Sequence, residues 1–150
     1  QIKRSYIYIM SFNREIDVEG VVLPNIPLTN FDLLEAAKKL KIKNFRGVFV
    51  RDQLPKKANI HECGIINIDD SKGPGSHWQC WFKNASEKLC FDSYGLPPPT
   101  ELVNYLKRPV YYNSERIQPD DVVFCGHLCL YVLKKLSDGI DFQTIINELS

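Results

Sequence analysis

His77-Trp78-Gln79-Cys80-Trp81-Phe82-Lys83-Asn84-Ala85-Ser86-Glu87-Lys88-Leu89-Cys90-Phe91-Asp92 is the stretch on which the fold turns. Two apolar runs, Trp78 to Phe82 and Lys88 to Asp92, flank the polar residues Asn84 to Glu87. That pattern predicts a β-hairpin. In a hairpin the start of the first strand lies beside the end of the second, so His77 and Asp92 become neighbours. Upstream, Asp69 to Ser76 (DDSKGPGS) reads as a turn. Before it, Cys63 to Ile68 is almost continuously apolar, as expected of a central strand buried on both faces. Gly47 to Val50 reads as a shorter buried strand.

Further out, Ser5 to Met10 alternates and predicts a strand, while residues 11–28 read as irregular, broken by Pro24 and Pro27. Thr29 or Asn30 can cap a helix reaching about Leu40, with Phe31, Leu34, Ala37 and Leu40 as its core face and Asp32 in the first turn. Downstream, Leu96 to Pro99 leads into a helix over Thr100 to Lys107, and Val110 to Asn113 reads as a strand. Cys125 to Leu136 is the strongest helix. Asp120 and Asp121 precede it, Lys134 and Lys135 occupy its last turn, and Ser137-Asp138-Gly139 stops it. Asp141 can cap a final helix ending near Leu149. There is no regular βαβ rhythm, so the class is α+β, with 150 residues forming one domain.

The charge balance excludes some functions. With 19 basic and 18 acidic residues the chain carries +1, which argues against a protein built mainly to grip nucleic acid. The run Lys38, Lys39, Lys41, Lys43 and Arg46 reads as a solvated face, with weak nucleic-acid contact as its alternative. Five cysteines, an odd number set mostly in apolar segments, point to free thiols in a reducing compartment. No apolar run reaches the roughly 18 residues of a membrane helix. No signal peptide is legible, and a chain beginning at Gln1 rather than Met makes that uninformative.

Four residues could carry chemistry. Cys125 opens a helix, where a thiolate gains from unsatisfied N–H groups and the helix dipole. Gly126 behind it would let a substrate backbone approach. The alternative is a buried apolar cysteine, as Cys129 one turn later is expected to be. His77 is the histidine placed at a strand start beside a flexible turn, and imidazole can both take and return a proton near neutral pH. His61 reads as surface, and His127 points away from the Cys125 sulfur by helical geometry. Asp92 would orient His77, or else cap the turn Ser93-Tyr94-Gly95. Gln118, seven residues before Cys125, could supply an oxyanion donor together with the Cys125 N–H, or be an ordinary loop residue.

Gly75-Ser76-His77-Trp78, then Phe91-Asp92-Ser93-Tyr94-Gly95, then Gln118 ahead of Cys125-Gly126-His127-Leu128-Cys129 resemble the adenovirus endopeptidase (adenain) family and its virophage and transposon relatives. The resemblance covers roughly residues 29–136. It implies an adenain-like fold, a central mixed or antiparallel sheet flanked by helices, with the nucleophile at the N-terminus of a central helix. It further implies Cys125 as nucleophile, His77 as general base and acid, Asp92 as third member, Gln118 as oxyanion residue and Trp78 as the aromatic following the catalytic histidine. Trp78 and Gly126 are the expected substrate-binding positions.

By the same resemblance the activity is endopeptidase cleavage of viral precursor proteins at glycine-containing sites, by a monomer in the virion or in the host nucleus or cytoplasm. No metal is implied. Adenain uses DNA and a disulfide-linked peptide as activators. The charge of +1, and the absence of cysteine from Val110 to Ile117, argue against both here. Rival readings are a ubiquitin-like-modifier protease or acetyl-transferring enzyme of the same clan, and a zinc module using His61, Cys63, Cys125, His127 and Cys129. The spacing of those five residues is poor for zinc.

Overall fold

The computed structural model describes residues 2–3, 8–10, 15–69, 72–73, 77–117 and 124–150. Its elements are β1 (Ile2–Lys3), β2 (Tyr8–Met10), β3 (Glu15–Val18), β4 (Val21–Pro24), α1 (Asn30–Lys39), β5 (Phe45–Val50), a 3₁₀ turn (Arg51–Gln53), β6 (Glu62–Asn67), β7 (Trp78–Lys83), β8 (Lys88–Phe91), α2 (Thr100–Leu106), β9 (Tyr111–Tyr112), α3 (Cys125–Ser137) and α4 (Phe142–Leu149). They build a four-stranded antiparallel sheet, β1-β2-β3-β4, and a five-stranded mixed sheet, β5-β6-β7-β8-β9, whose end strands β5 and β9 run parallel to their neighbours. The class is α+β.

The five-stranded sheet is covered on both faces. Cys63 and Ile65 of β6, Cys80 of β7 and Phe91 of β8 point into the main core with α1, α3, α4 and the inner side of β3 and β4. Ile66, Trp81 and Cys90 point the other way, onto Leu102 and Leu106 of α2. Strand β6 is buried at every position, which explains its unbroken apolar run. Glu62 is the polar exception. Its carboxylate accepts from Trp81 Nε1 (2.8 Å), the Tyr105 hydroxyl (2.7 Å), the Asn59 N–H (2.6 Å) and Arg46 (3.0 Å), so the buried charge is paired and hydrogen-bonded.

Three sequence expectations are corrected. Residues 11–28 are not irregular throughout. Glu15–Val18 and Val21–Pro24 pair as a hairpin whose turn residues Glu19 and Gly20 both adopt positive φ, with the Gly20 N–H donating to Asp17 Oδ1 at 2.8 Å. The alternation Glu-Ile-Asp-Val with Glu-Gly behind it was the signal, and Pro24 sits where an edge strand tolerates proline. Second, Thr29 does cap α1 through a capping box with Asp32, but the buried stripe is Leu33, Ala36, Ala37 and Leu40. Phe31 is 75% exposed and Leu34 41%. Two apolar stripes overlap on this helix, and the one carrying small alanines approaches the core. Third, β5 is an edge strand with only Gly47 buried, not a buried strand. The strand expected over Ser5 to Met10 is described from Tyr8. Residues 11–14, and Asp120 and Asp121, lie outside the described residues.

The remaining elements follow the sequence reading, α3 and α4 included. Lys134 and Lys135 stand in the last turn of α3, and Asp141 caps α4 by accepting from the Thr144 N–H at 3.3 Å. His127 is buried within α3 and bonds the Pro24 carbonyl at 2.9 Å, tying α3 to β4. Among the described residues no helix is long and apolar enough to cross a membrane.

Gly64 is required by packing. It lies opposite Trp81 in the β6–β7 register, and a Cβ there would stand 2.4 Å from Trp81 Cη2. Gly64→Ala should therefore lower unfolding free energy by about 3 kcal/mol in urea titration, at the upper end of overpacking costs. A change below about 0.5 kcal/mol would contradict this packing.

Candidate active site

The β7–β8 register carries the site. Its pairs run Lys83↔Lys88, Phe82↔Leu89, Trp81↔Cys90 and Cys80↔Phe91. Continued outward, the next positions on the Trp81–Cys90 face are Gln79 opposite Asp92 and His77 opposite Tyr94. Both pairs touch: Gln79 Nε2 donates to Asp92 Oδ2 at 2.7 Å, and the His77 and Tyr94 rings stack with centroids 4.9 Å apart. His77 and Asp92 are thus diagonal neighbours rather than a directly opposed pair, within reach of longer side chains. His77 Nε2 lies 3.0 Å from Asp92 Oδ2, with the two side chains 8% and 0% exposed.

Asp92 is held at every polar atom. Oδ2 accepts from His77 and Gln79, and Oδ1 accepts from the Tyr94 N–H at 2.7 Å. Its backbone N–H donates to Asn113 Oδ1 at 2.9 Å, and its carbonyl accepts from Asn113 Nδ2 at 2.6 Å. The two roles open to Asp92 in the sequence are thus both filled, on different oxygens: Oδ1 closes the turn and Oδ2 holds the histidine. Burial alone would raise the carboxyl pKa. The hydrogen bond and charge of His77, with Gln79 and the Tyr94 N–H, outweigh it and hold the carboxyl below its usual range.

Cys125 begins α3, and its thiol is within hydrogen-bonding reach of His77. With Nε2 engaged by Asp92, the other ring nitrogen, Nδ1, is the one available to the sulfur. Burial would lower the imidazole pKa, but the hydrogen bonds and charges of Asp92 and Cys125 raise it to about 9. Phe124, the residue ahead of the helix, gives no side-chain cap, so it takes up none of the first-turn N–H groups.

The other thiols sit in different surroundings. Cys63, Cys80, Cys90 and Cys129 are buried, whereas Cys125 is half-buried. Burial and neighbouring negative groups push the Cys63 thiol up to about 12 and raise those of Cys90 and Cys129.

Trp78 and Gly126 form a shared wall. A Cβ on Gly126 would meet Leu28, Leu33 and Trp78 at 3.3 Å, so its bare Cα serves close packing against protein side chains. Trp78 Nε1 donates to the Leu28 carbonyl at 3.0 Å, and both residues line a cavity of about 580 Å³ beside the site. Gln118 lies outside the described residues. The chain leading to it is anchored, since the Ile117 N–H donates to the Ser93 carbonyl at 2.8 Å. Arg116 lies 4.8 Å over the Tyr94 ring. Gly95, at φ +75°, lets this segment pass, because a Cβ would fall 2.6 Å from the Ser114 carbonyl oxygen.

Gln79, Tyr94 and Asn113 are the supporting residues that sequence reasoning missed. Gln79 had a signal, a polar residue inside an apolar strand next to a candidate histidine. Asn113 had none beyond its place at the end of a short strand. The five residues of the zinc reading do not converge, since no group of three potential metal ligands stands together among the described residues.

No protein-family model matches the chain, and no curated protein matches it. Solved structures do. A crystal structure of the ASFV pS273R protease aligns at TM-score 0.60 and 18% identity, covering 82% of this chain and 64% of that one. Its selenomethionine form aligns at 0.57 and 16%, covering 82% and 65%. The chain therefore has the fold of this protease and spans slightly less than two-thirds of its length.

A folded-state pKa above the ordinary histidine value has a defined effect on stability. The stabilisation from protonated His77 is complete below pH 6.5 and is lost as pH rises through about 9. The Tm gap between wild type and His77→Gln should therefore be widest near about pH 6 and close by about pH 9.5 in thermal melts. A gap that widens with pH would contradict the Asp92–His77–Cys125 arrangement.

Proposed function

We propose that this chain is a cysteine endopeptidase. The observation that carries the reading is the linked series Cys125, His77, Asp92, brought together from the start of α3, the residue before β7 and the residue after β8. The fold shared with the ASFV pS273R protease and the motif resemblance to adenain-type enzymes support it.

In the proposed reaction Cys125 Sγ attacks a peptide carbonyl carbon while His77 holds the thiol proton. The Cys125 N–H at the helix start and the Gln118 amide stabilise the oxyanion. The carbon–nitrogen bond then breaks as His77 delivers the proton to the leaving amine. Water, deprotonated by His77, attacks the thioester, and the departing sulfur takes that proton back. Asp92 keeps the ring oriented and stabilises the imidazolium. The substrates would be precursor proteins of a viral particle, cut at glycine-containing sites in a reducing compartment. Trp78 would line the substrate channel. No metal enters this scheme.

Incubating the protein with a diverse peptide library and sequencing the new termini tests the reading. Cleavage should depend on Cys125, with Cys125→Ala folded and inactive, and glycine should recur beside the cut. His77→Ala should cost roughly the 10²–10⁴-fold of lost acid–base catalysis, and Asp92→Asn less. Cleavage that survives in Cys125→Ala would refute the assignment. Cleavage confined to ubiquitin-like conjugates would keep the mechanism and replace the substrate.

A further inference from the structure

Apart from the active site, the feature that stands out is a cluster of lysines gathered around one cavity. Lys56 and Lys57, from the loop before β6, Lys83 at the end of β7, Lys88 at the start of β8 and Lys107 at the end of α2 surround one cavity of about 420 Å³, floored in part by Tyr105. No acidic residue lines it. A cavity of this size is in the range of small-molecule sites, about 300–1,000 Å³.

Among the described residues none of the five lysines stands within ion-pair distance of a carboxylate; Glu62, which faces Lys83 across the β6–β7 register, turns its carboxylate onto Arg46, Trp81 and Tyr105. Elsewhere Lys39, Arg46, Arg51, Lys134 and Lys135 each have a carboxylate partner. Two of the five are held by backbone oxygen instead. Lys83 Nζ donates to the Asn59 carbonyl at 2.7 Å, and Lys88 Nζ donates to the Lys107 carbonyl at 2.8 Å. These bonds position the ammonium groups without neutralising them.

The register makes the arrangement costly. Lys83 and Lys88 are directly opposed across the hairpin, a placement in which like charges destabilise the pair. The loop bearing Lys57 is fixed as well, because its carbonyl accepts from Arg46 at 2.9 Å and Arg46 is bonded to buried Glu62. A chain of net charge +1 thus gathers five lysines, none of them ion-paired among the described residues, around one scaffolded cavity. An anionic occupant removes the repulsion.

We propose that this cavity is a binding site for a compact polyphosphate, such as the phosphate chain of a nucleotide or another multiply phosphorylated small molecule. The lysines converge from four segments on one concavity instead of tracking along a face, which suits a compact ligand over a duplex. Lysine ammonium groups serve phosphate as point charges. The site lies at the far end of the hairpin that carries His77 and Asp92, with Lys83 about 20 Å from His77 by strand rise. It stands independently of the protease reading.

Inorganic tripolyphosphate is the probe, with Tm and calorimetric titration at low ionic strength as the readouts. The wild-type protein should bind it saturably with a rise in Tm. The Lys83→Gln/Lys88→Gln double variant, which keeps hydrogen-bond donors at both positions, should lose at least about tenfold in affinity, while the unliganded variant should melt no lower than wild type because a like-charge pair is gone. Lys38→Gln/Lys41→Gln removes equal charge elsewhere and should leave affinity within about twofold. Absence of saturable binding, or equal losses in the two double variants, would overturn the proposal. So would duplex DNA binding that tripolyphosphate cannot displace, which would mark a nucleic-acid surface instead.

Discussion

The site rests on the antiparallel register between β7 and β8, because that register decides which side chains reach Asp92. Gln79 falls opposite the carboxylate and His77 two residues beyond, so one oxygen, Oδ2, receives both (2.7 and 3.0 Å). A slip of one residue would send His77 to the opposite face and break the series. Several features pin the register. Asn84 Oδ1 accepts the Ser86 and Glu87 N–H groups in the turn, and Asn113 clamps both backbone groups of Asp92, while Trp81 over bare Gly64 fixes β7 against β6. The clamp comes from the segment that leads toward Gln118. The same contacts that hold Asp92 therefore fix the chain up to Ile117.

Burial and charge act against each other at this point, and charge wins. His77 and Asp92 are both removed from water, which by itself would favour their neutral forms. Each is kept charged by the other, and Asp92 has further N–H donors that a solvated carboxylate would obtain from water. The structural thiols show the contrary outcome. Without a cationic partner, Cys63, Cys90 and Cys129 are driven toward the neutral thiol. The arrangement separates one addressable sulfur from a set of inert ones.

Much of this was legible in the sequence because the decisive features are local. A four-residue polar break between two apolar runs predicts the hairpin, and the hairpin predicts the proximity of His77 and Asp92. Cys125 at a helix start needs only helix signals. The α1 face was misread because Phe31 and Leu34 fit one helical stripe as well as Leu33 and Ala36 fit another. Only packing against the sheet selects between them. The β3–β4 hairpin is hidden in the sequence because Pro24 and Pro27 read as breakers and the alternation Glu15 to Val18 is short. Asn113 was illegible because its role depends on a parallel pairing of β9 with β8, which sequence spacing does not encode.

The central claim is that Cys125 and His77 form an activated pair, and the most direct measurement is site-resolved alkylation. The wild-type protein would be treated with a limiting thiol electrophile and modification quantified at all five cysteines by mass spectrometry, in parallel with His77→Ala. The account predicts fast modification at Cys125, slow modification at the four buried thiols, and loss of the Cys125 preference in the variant. Uniform modification, or a Cys125 rate unchanged by His77→Ala, would contradict it.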